Sequence, residues 1–260
     1  MSKRRLLSED NDYKLFEGPE AGLLVQQFVD PTPTPIPSLS DMRGSPGVGA
    51  LANRISGFLM GHLQNTGIMT HYLHTLNMQE QMVKHLSMLP VCAVMHNVAY
   101  GDFASRCGMP PGTIPPRPII EFYAKNRDGS IQLVSEDAIN AFGWAHHQDM
   151  DDMMILSSRI NSFLAGFFVN AGMRVARVRL SFGHLVGDFD DSRLIVGGCL
   201  TPSYCELQDI NTQDLYDLTI GPARAKIYRE VARRLGLLGR SEIVDFDAVR
   251  GARHKPHSIV

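Results

Sequence analysis

Long apolar runs are missing from this sequence of 260 residues. No window approaches the roughly twenty apolar residues that a membrane-spanning helix requires. The chain begins Met1-Ser2-Lys3-Arg4-Arg5, but no apolar stretch follows to complete a signal peptide. The sequence therefore predicts neither membrane insertion nor secretion. Cysteine is scarce, and Cys92, Cys107, Cys199 and Cys205 have none of the paired short spacings of a zinc site or redox motif. They read as reduced thiols in a cytoplasm. A surplus of charge is lacking too: the formal net charge is -2, which gives no general attraction to nucleic acid.

What is present is a globular balance of 44% hydrophobic and 20% charged residues, with enough length for one large core or two modest lobes. Lys14–Phe16 and Leu23–Phe28, broken at Gly18-Pro19, predict a hairpin. Every second residue from Pro31 to Pro37 is proline, which predicts a stiff surface loop. Leu51, Ile55, Phe58, Leu59 and Leu63 recur at helical spacing, and Gly67 closes the run. A second short helix is expected over Met78–Leu86, then a buried strand over Leu89–Val98.

Further along, a small helix is expected at Phe103–Cys107, a strand at Ile119–Ala124 and a helix capped by Ser135. Met153, Leu156, Ile160, Phe163, Leu164 and Phe167 define one face of the longest helix, ended by Gly172. Val175, Val178, Leu180 and Phe182 alternate into a hairpin with Arg193–Val196, and a last helix spans Ala223–Leu235. Paired strands with interspersed helices indicate an α+β fold of two lobes with antiparallel sheets. The expected division is 1–88 for the smaller lobe, 89–236 for the larger and 237–260 for a basic extension.

Six segments, in order, carry a resemblance. They are Leu15-Phe16-Glu17-Gly18-Pro19-Glu20, Asn53-Arg54-Ile55-Ser56, Asn97-Val98-Ala99, Pro116-Arg117-Pro118-Ile119-Ile120-Glu121-Phe122-Tyr123, Ala141-Phe142-Gly143-Trp144-Ala145, and the stretch Tyr228-Arg229-Glu230-Val231-Ala232-Arg233-Arg234-Leu235-Gly236. Over residues 4 to 236 the chain resembles SAICAR synthetase. That resemblance implies a cleft between lobes that binds ATP, a neighbouring site for a ribose-phosphate substrate, and a reaction that activates a carboxylate and joins it to the amine of aspartate. It implies magnesium as well.

The chain departs from the family pattern at the residues that carry this chemistry. The family's Gly-Lys-Ala-Lys is matched by Asp10-Asn11-Asp12-Tyr13, its Asp-Asp-Ala-Thr-Ala by Asp30-Pro31-Thr32-Pro33-Thr34, and the lysine of its Gly-Lys-Gly by Val48. Its Asp-Phe-Lys-x-Glu-x-Gly becomes the stretch Arg177-Val178-Arg179-Leu180-Ser181-Phe182-Gly183, so a cation persists at Arg179 while the carboxylate is replaced by Ser181. The Asp-Glu before Ser-Pro-Asp becomes Gly198-Cys199, and Ser-Pro-Asp itself becomes Thr201-Pro202-Ser203. At the substrate phosphate, His96 and Asp102 stand for an arginine and a serine, and Glu206 for a second arginine; Asn97, Gly101, Arg106 and Arg117 persist.

Lost cations and added acids predict like-charge repulsion of a polyphosphate and of the phosphorylated substrate, and the lost carboxylates predict no magnesium cage. The expectation is a descendant without ligase activity or cofactor, serving as a binding, structural or regulatory subunit with another protein or with itself. Two alternatives stand beside it. One is a new reaction in the old cleft, using Cys199, Asp102 and His96 on a neutral or cationic ligand. The other is an ATP-dependent SAICAR synthetase of purine biosynthesis with compensating residues. The pairs His71/His74 and His146/His147 read as surface or cap residues, Asp188, Asp190 and Asp191 as a solvated hairpin tip, and Arg250–His257 as a basic tail that is disordered or docks on an acidic partner.

Overall fold

The computed structural model describes residues 4–30, 47–126, 130–187, 193–216, 218 and 221–238. The proline run, the Asp188–Asp191 tip and the basic tail lie outside these.

Two antiparallel sheets form the framework. The smaller holds β1 (Leu6–Glu9), β2 (Tyr13–Glu17), β3 (Leu23–Phe28), β4 (Tyr72–Thr75) and β5 (Glu80–Lys84) in the order β1-β2-β3-β5-β4. Helix α1 (Val48–Asn65) lies across it and buries Ile55, Leu59, Met60 and Leu63. The expected hairpin is β2 with β3, paired from Tyr13↔Phe28 to Glu17↔Leu24. The helix expected over Met78–Leu86 is instead strand β5. Its apolar residues, Met82, Val83 and Leu86, suit a helix turn as well as a strand, but β3 needs a partner for its other edge, and pairing along Leu23↔Lys84 to Gln27↔Glu80 supplies one. Asn77 Oδ1 makes the turn into β5 by accepting from Gln79 N and Glu80 N at 2.9 and 3.0 Å.

The larger sheet contains β6 (Leu86–His96), β7 (Ile119–Lys125), β8 (Ile131–Val134), β9 (Met173–Leu185), β10 (Ile195–Gly197) and β11 (Cys205–Asp209). The order is β10-β9-β6-β7-β8, with β11 also paired to β9. Short helices α2 (Gly101–Arg106) and α3 (Glu136–Ala141) follow β6 and β8, and Ser135 caps α3 by accepting from Ala138 N. The long helix α4 (His147–Asn170) buries Met153, Ile160, Leu164 and Phe168 against the sheet. Helix α5 (Gly221–Arg234) closes the described chain and packs on α1. Strands β1, β8 and β11 carry no clean alternation of burial and escape a pattern search. Strand β9 bends tightly past β6: a Cβ on Gly183 would lie 2.6 Å from Ser87 O. Among the described residues no helix is long and apolar enough to cross a membrane.

Leu164 is fully buried while Ile155, on the same helix, is 58% exposed. Leu164→Ala should cost about 3 kcal/mol of unfolding free energy, and Ile155→Ala about 0.5 kcal/mol or less, read from denaturant midpoints at unchanged slope.

Candidate active site between the two sheets

Period-two alternation sorts the side chains of the larger sheet onto two faces. One face, with Val91, Ala93, Met95, Val178, Leu180 and Phe182, is core. On the other face the register sets Ser181 beside Cys92 and Tyr123, Arg179 beside Val94 and Glu121, and Arg177 beside His96 and Ile119. Polar and titratable groups thus form a strip across three strands.

Part of this strip floors a cavity of about 300 Å³ between the sheets. Leu15, Leu89 and Ile131 give it apolar lining, Asp10, Tyr13, Lys125, Arg179, Ser181 and Tyr204 give it polar lining, and the backbone of Gly197–Cys199 closes a wall. Arg179 lies over the Tyr204 ring, 4.2 Å from its centroid. The wall is held from the smaller sheet: Gly198 O accepts from Gln26 Nε2 at 3.2 Å and from His71 Nε2 at 2.9 Å. Burial drives the His71 imidazole down to about 4, against the opposing pull of the Gly198 carbonyl. His71 is therefore a neutral buried donor and not the surface residue expected.

The acids of the β1–β2 turn are all partnered. Asp10 Oδ2 lies 2.8 Å from Lys125 Nζ, and Oδ1 accepts from the Tyr204 hydroxyl at 2.9 Å and from Asn11 N at 2.7 Å. Burial pushes the Asp10 carboxyl up, but Lys125, Tyr204 and the Asn11 amide together outweigh it and hold the group below its ordinary value. Asp12 pairs with Arg224 on α5, which also donates to Ser203 Oγ at 2.9 Å. Asp30 is occupied as well: its carboxylate accepts from Gly47 N at 3.1 Å and Gly49 N at 2.7 Å, the free amides that open α1.

Beyond the cavity the strip continues to His96. Its ring stacks on Phe103 at 4.0 Å, and Nε2 stands 3.1 Å from Glu121 Oε2 without the alignment of a hydrogen bond. Burial lowers the His96 imidazole to about 4, with Glu121 opposing the shift. Glu121 also takes Arg106 Nη2 at 2.8 and 2.6 Å and the Tyr123 hydroxyl at 2.7 Å. Arg177 on β9 pairs with its register partner Glu206 on β11.

Of the residues singled out from sequence, Arg179, Ser181 and Cys199 line the cavity, and His96, Arg106 and Glu206 join the outer cluster. Asn97 is structural: it exchanges two 2.8 Å hydrogen bonds with Asn161 of α4. Gly101 opens α2 at φ 53, and Asp102 is exposed in the first turn of that helix. Cys199 is buried, and burial pushes its thiol well above the ordinary value, which rules out a ready nucleophile. Lys125, Tyr204, Arg224 and Arg177 were not singled out. The signal for the first was available, because Glu121, Tyr123 and Lys125 alternate in an otherwise apolar strand. The magnesium implied by resemblance is not matched by the donors present, since Ser181 offers a hydroxyl, Cys199 a protonated thiol, and the Asp10 carboxylate is taken by Lys125 and Tyr204. Among the described residues no group of three or more His, Cys, Asp or Glu could hold a metal.

The family model for SAICAR synthetase matches residues 41–234. The chain belongs to the SAICAR synthetase family. A phosphoribosylaminoimidazole-succinocarboxamide synthase of Acidiphilium cryptum is 43% identical over 92% of this chain and 94% of its own length. One from Jannaschia is 40% identical over 94% and 96%. The crystal structure of the synthase from Ehrlichia chaffeensis superposes with a TM-score of 0.80 at 33% identity, covering 91% of this chain and 100% of that one. The α+β architecture with antiparallel sheets is therefore the family's own.

These relatives overturn the expectation of a lost ligase serving as a binding or regulatory subunit: near full-length relatives named as synthases point to an enzyme. The expected repulsion of phosphates is weakened by the partners that the acids have in the fold. Asp10, Asp12 and Glu206 are neutralised by Lys125, Arg224 and Arg177, while Asp102, the fourth acid behind that expectation, is exposed in the first turn of α2. A partnered carboxylate exerts only a short-range dipolar field on a nearby phosphate.

Because His71 binds its proton less readily folded, at about 4 against an ordinary 6.5, its contribution to stability is complete above pH 6.5 and is lost as pH falls towards 4. Unfolding free energy should drop by about 3 kcal/mol from this group across that interval. Denaturant titrations at stepped pH, with His71→Gln removing that share of the slope, check it.

Proposed function

We propose that this chain is a working ligase of the SAICAR synthetase type, which uses ATP to join the carboxylate of a phosphoribosyl aminoimidazole to the amine of aspartate. The observation that carries this is the likeness, at 43% identity over 94% of its length, to a relative that bears the synthase name. The cavity between the sheets suits that reading. Its apolar lining, with Leu15 and Leu89, can take a flat base, and Arg179 and Lys125 line the same cavity.

In this assignment Arg179, fixed over Tyr204, stabilises negative charge that grows on the transferred phosphoryl group. Arg177 on β9 and Arg106 on α2, which reaches Glu121 of the sheet, are the cations offered to a phosphorylated substrate, each now shared with a glutamate. No step is routed through magnesium, which the donors described do not fit. The buried thiols Cys92, Cys199 and Cys205 accord with work in a reducing cytoplasm.

Purified chain given ATP, aspartate and the aminoimidazole carboxylate should release ADP and form the succinocarboxamide, and the gene should restore growth to a purine-requiring strain. Absence of product and of rescue would sink the reading. Arg179→Met should lower kcat by about a hundredfold or more while leaving the melting temperature within a few degrees.

A further inference from the structure

Asp10 sits inside the cavity, with both carboxylate oxygens engaged. An ammonium, a hydroxyl and a backbone N–H, from Lys125, Tyr204 and Asn11, surround it at 2.7 to 2.9 Å. That is the donor set a phosphate oxygen would take. Lys125 and Tyr204 line the same cavity as Arg179.

The turn that carries Asp10 is pinned again two residues on. Asp12, with a side chain only 6% exposed, pairs with Arg224. That second contact is incompletely satisfied, for Asp12 Oδ2 and Arg224 Nε are buried without a hydrogen-bond partner. A buried ion pair with unmet donors and acceptors recovers less than its desolvation cost. It is a clamp that releases more readily than a fully bonded one.

Resting on the reading of the cavity as a nucleotide site, we propose that Asp10 is an internal competitor of the nucleotide's phosphates. Its carboxylate occupies Lys125 and Tyr204, the Asp12–Arg224 pair clamps it there, and a polyphosphate binds by displacing it. Asp10 is then a specificity residue. A ligand with no anionic end has nothing to offer Lys125 in exchange and leaves the turn shut, whereas a chain of phosphates replaces one carboxylate with greater charge at the same donors.

Calorimetric titration with ATP and with adenosine tests this on the full chain and on Asp10→Asn, Asp12→Asn and Asp10→Asn/Lys125→Met. Asp10→Asn should tighten ATP by about tenfold and leave adenosine within about twofold. Asp12→Asn should shift ATP in the same direction by releasing the clamp, and the double variant should lose the gain. Unchanged or weaker ATP binding by Asp10→Asn overturns the proposal, as does an equal gain for adenosine, which marks general loosening. Turnover measured on the unsubstituted chain separates the two claims. Amide formation with an unaltered Asp10→Asn affinity sinks the competitor alone; a tightened Asp10→Asn with no amide formation sinks the ligase reading alone.

Discussion

Carboxylates seated on cations across the cleft are the interaction on which the rest of this structure depends. Asp10 and Asp12 tie the β1–β2 turn of the smaller sheet to Lys125 on β7 and to Arg224 on α5. Glu206 pairs with Arg177 within the larger sheet, and Glu121 of that sheet with Arg106 on α2. Each pair removes a net charge from the polar strip while leaving the cation in place. The site is consequently neither the bare basic groove of a strong anion binder nor an acidic surface. It is a row of matched charges whose partners can be exchanged.

That arrangement explains which parts of the fold were legible in sequence. Helix α4 announces itself because Met153, Ile160 and Leu164 fall on one face and stay there when packed. Ser135 caps α3 for a local reason that needs no tertiary contact. The segment Met78–Leu86 deceived because its decisive partner, β3, lies more than fifty residues earlier in the chain, and a single pairing along Leu23↔Lys84 outweighs local helical spacing. Strand β1 leaves no trace at all, since its four residues are exposed and only its ladder with β2 makes it a strand.

The site was legible by position but not by sign. Arg179, Ser181 and Cys199 line the cavity, and segment order along the chain is what brings them there. Their electrostatic meaning was not legible, since a linear sequence shows Asp10 without showing Lys125 beside it, 115 residues away. His71 illustrates the same limit from the other side: nothing in its neighbours along the chain reveals that it donates to a carbonyl 127 residues on. Charge counting along a sequence assumes isolated ions, and in a cleft where acids and bases meet from different strands that assumption inverts the answer.

The Gly198 carbonyl has a mechanical consequence. It is gripped by Gln26 and His71 from the smaller sheet, and Thr70 bridges to Val196 on the adjoining strand. These contacts stitch the two sheets along one edge, like the spine of a book. Sliding of one sheet over the other would break these hydrogen bonds, and those between His71, Met69 and Val196, all at once.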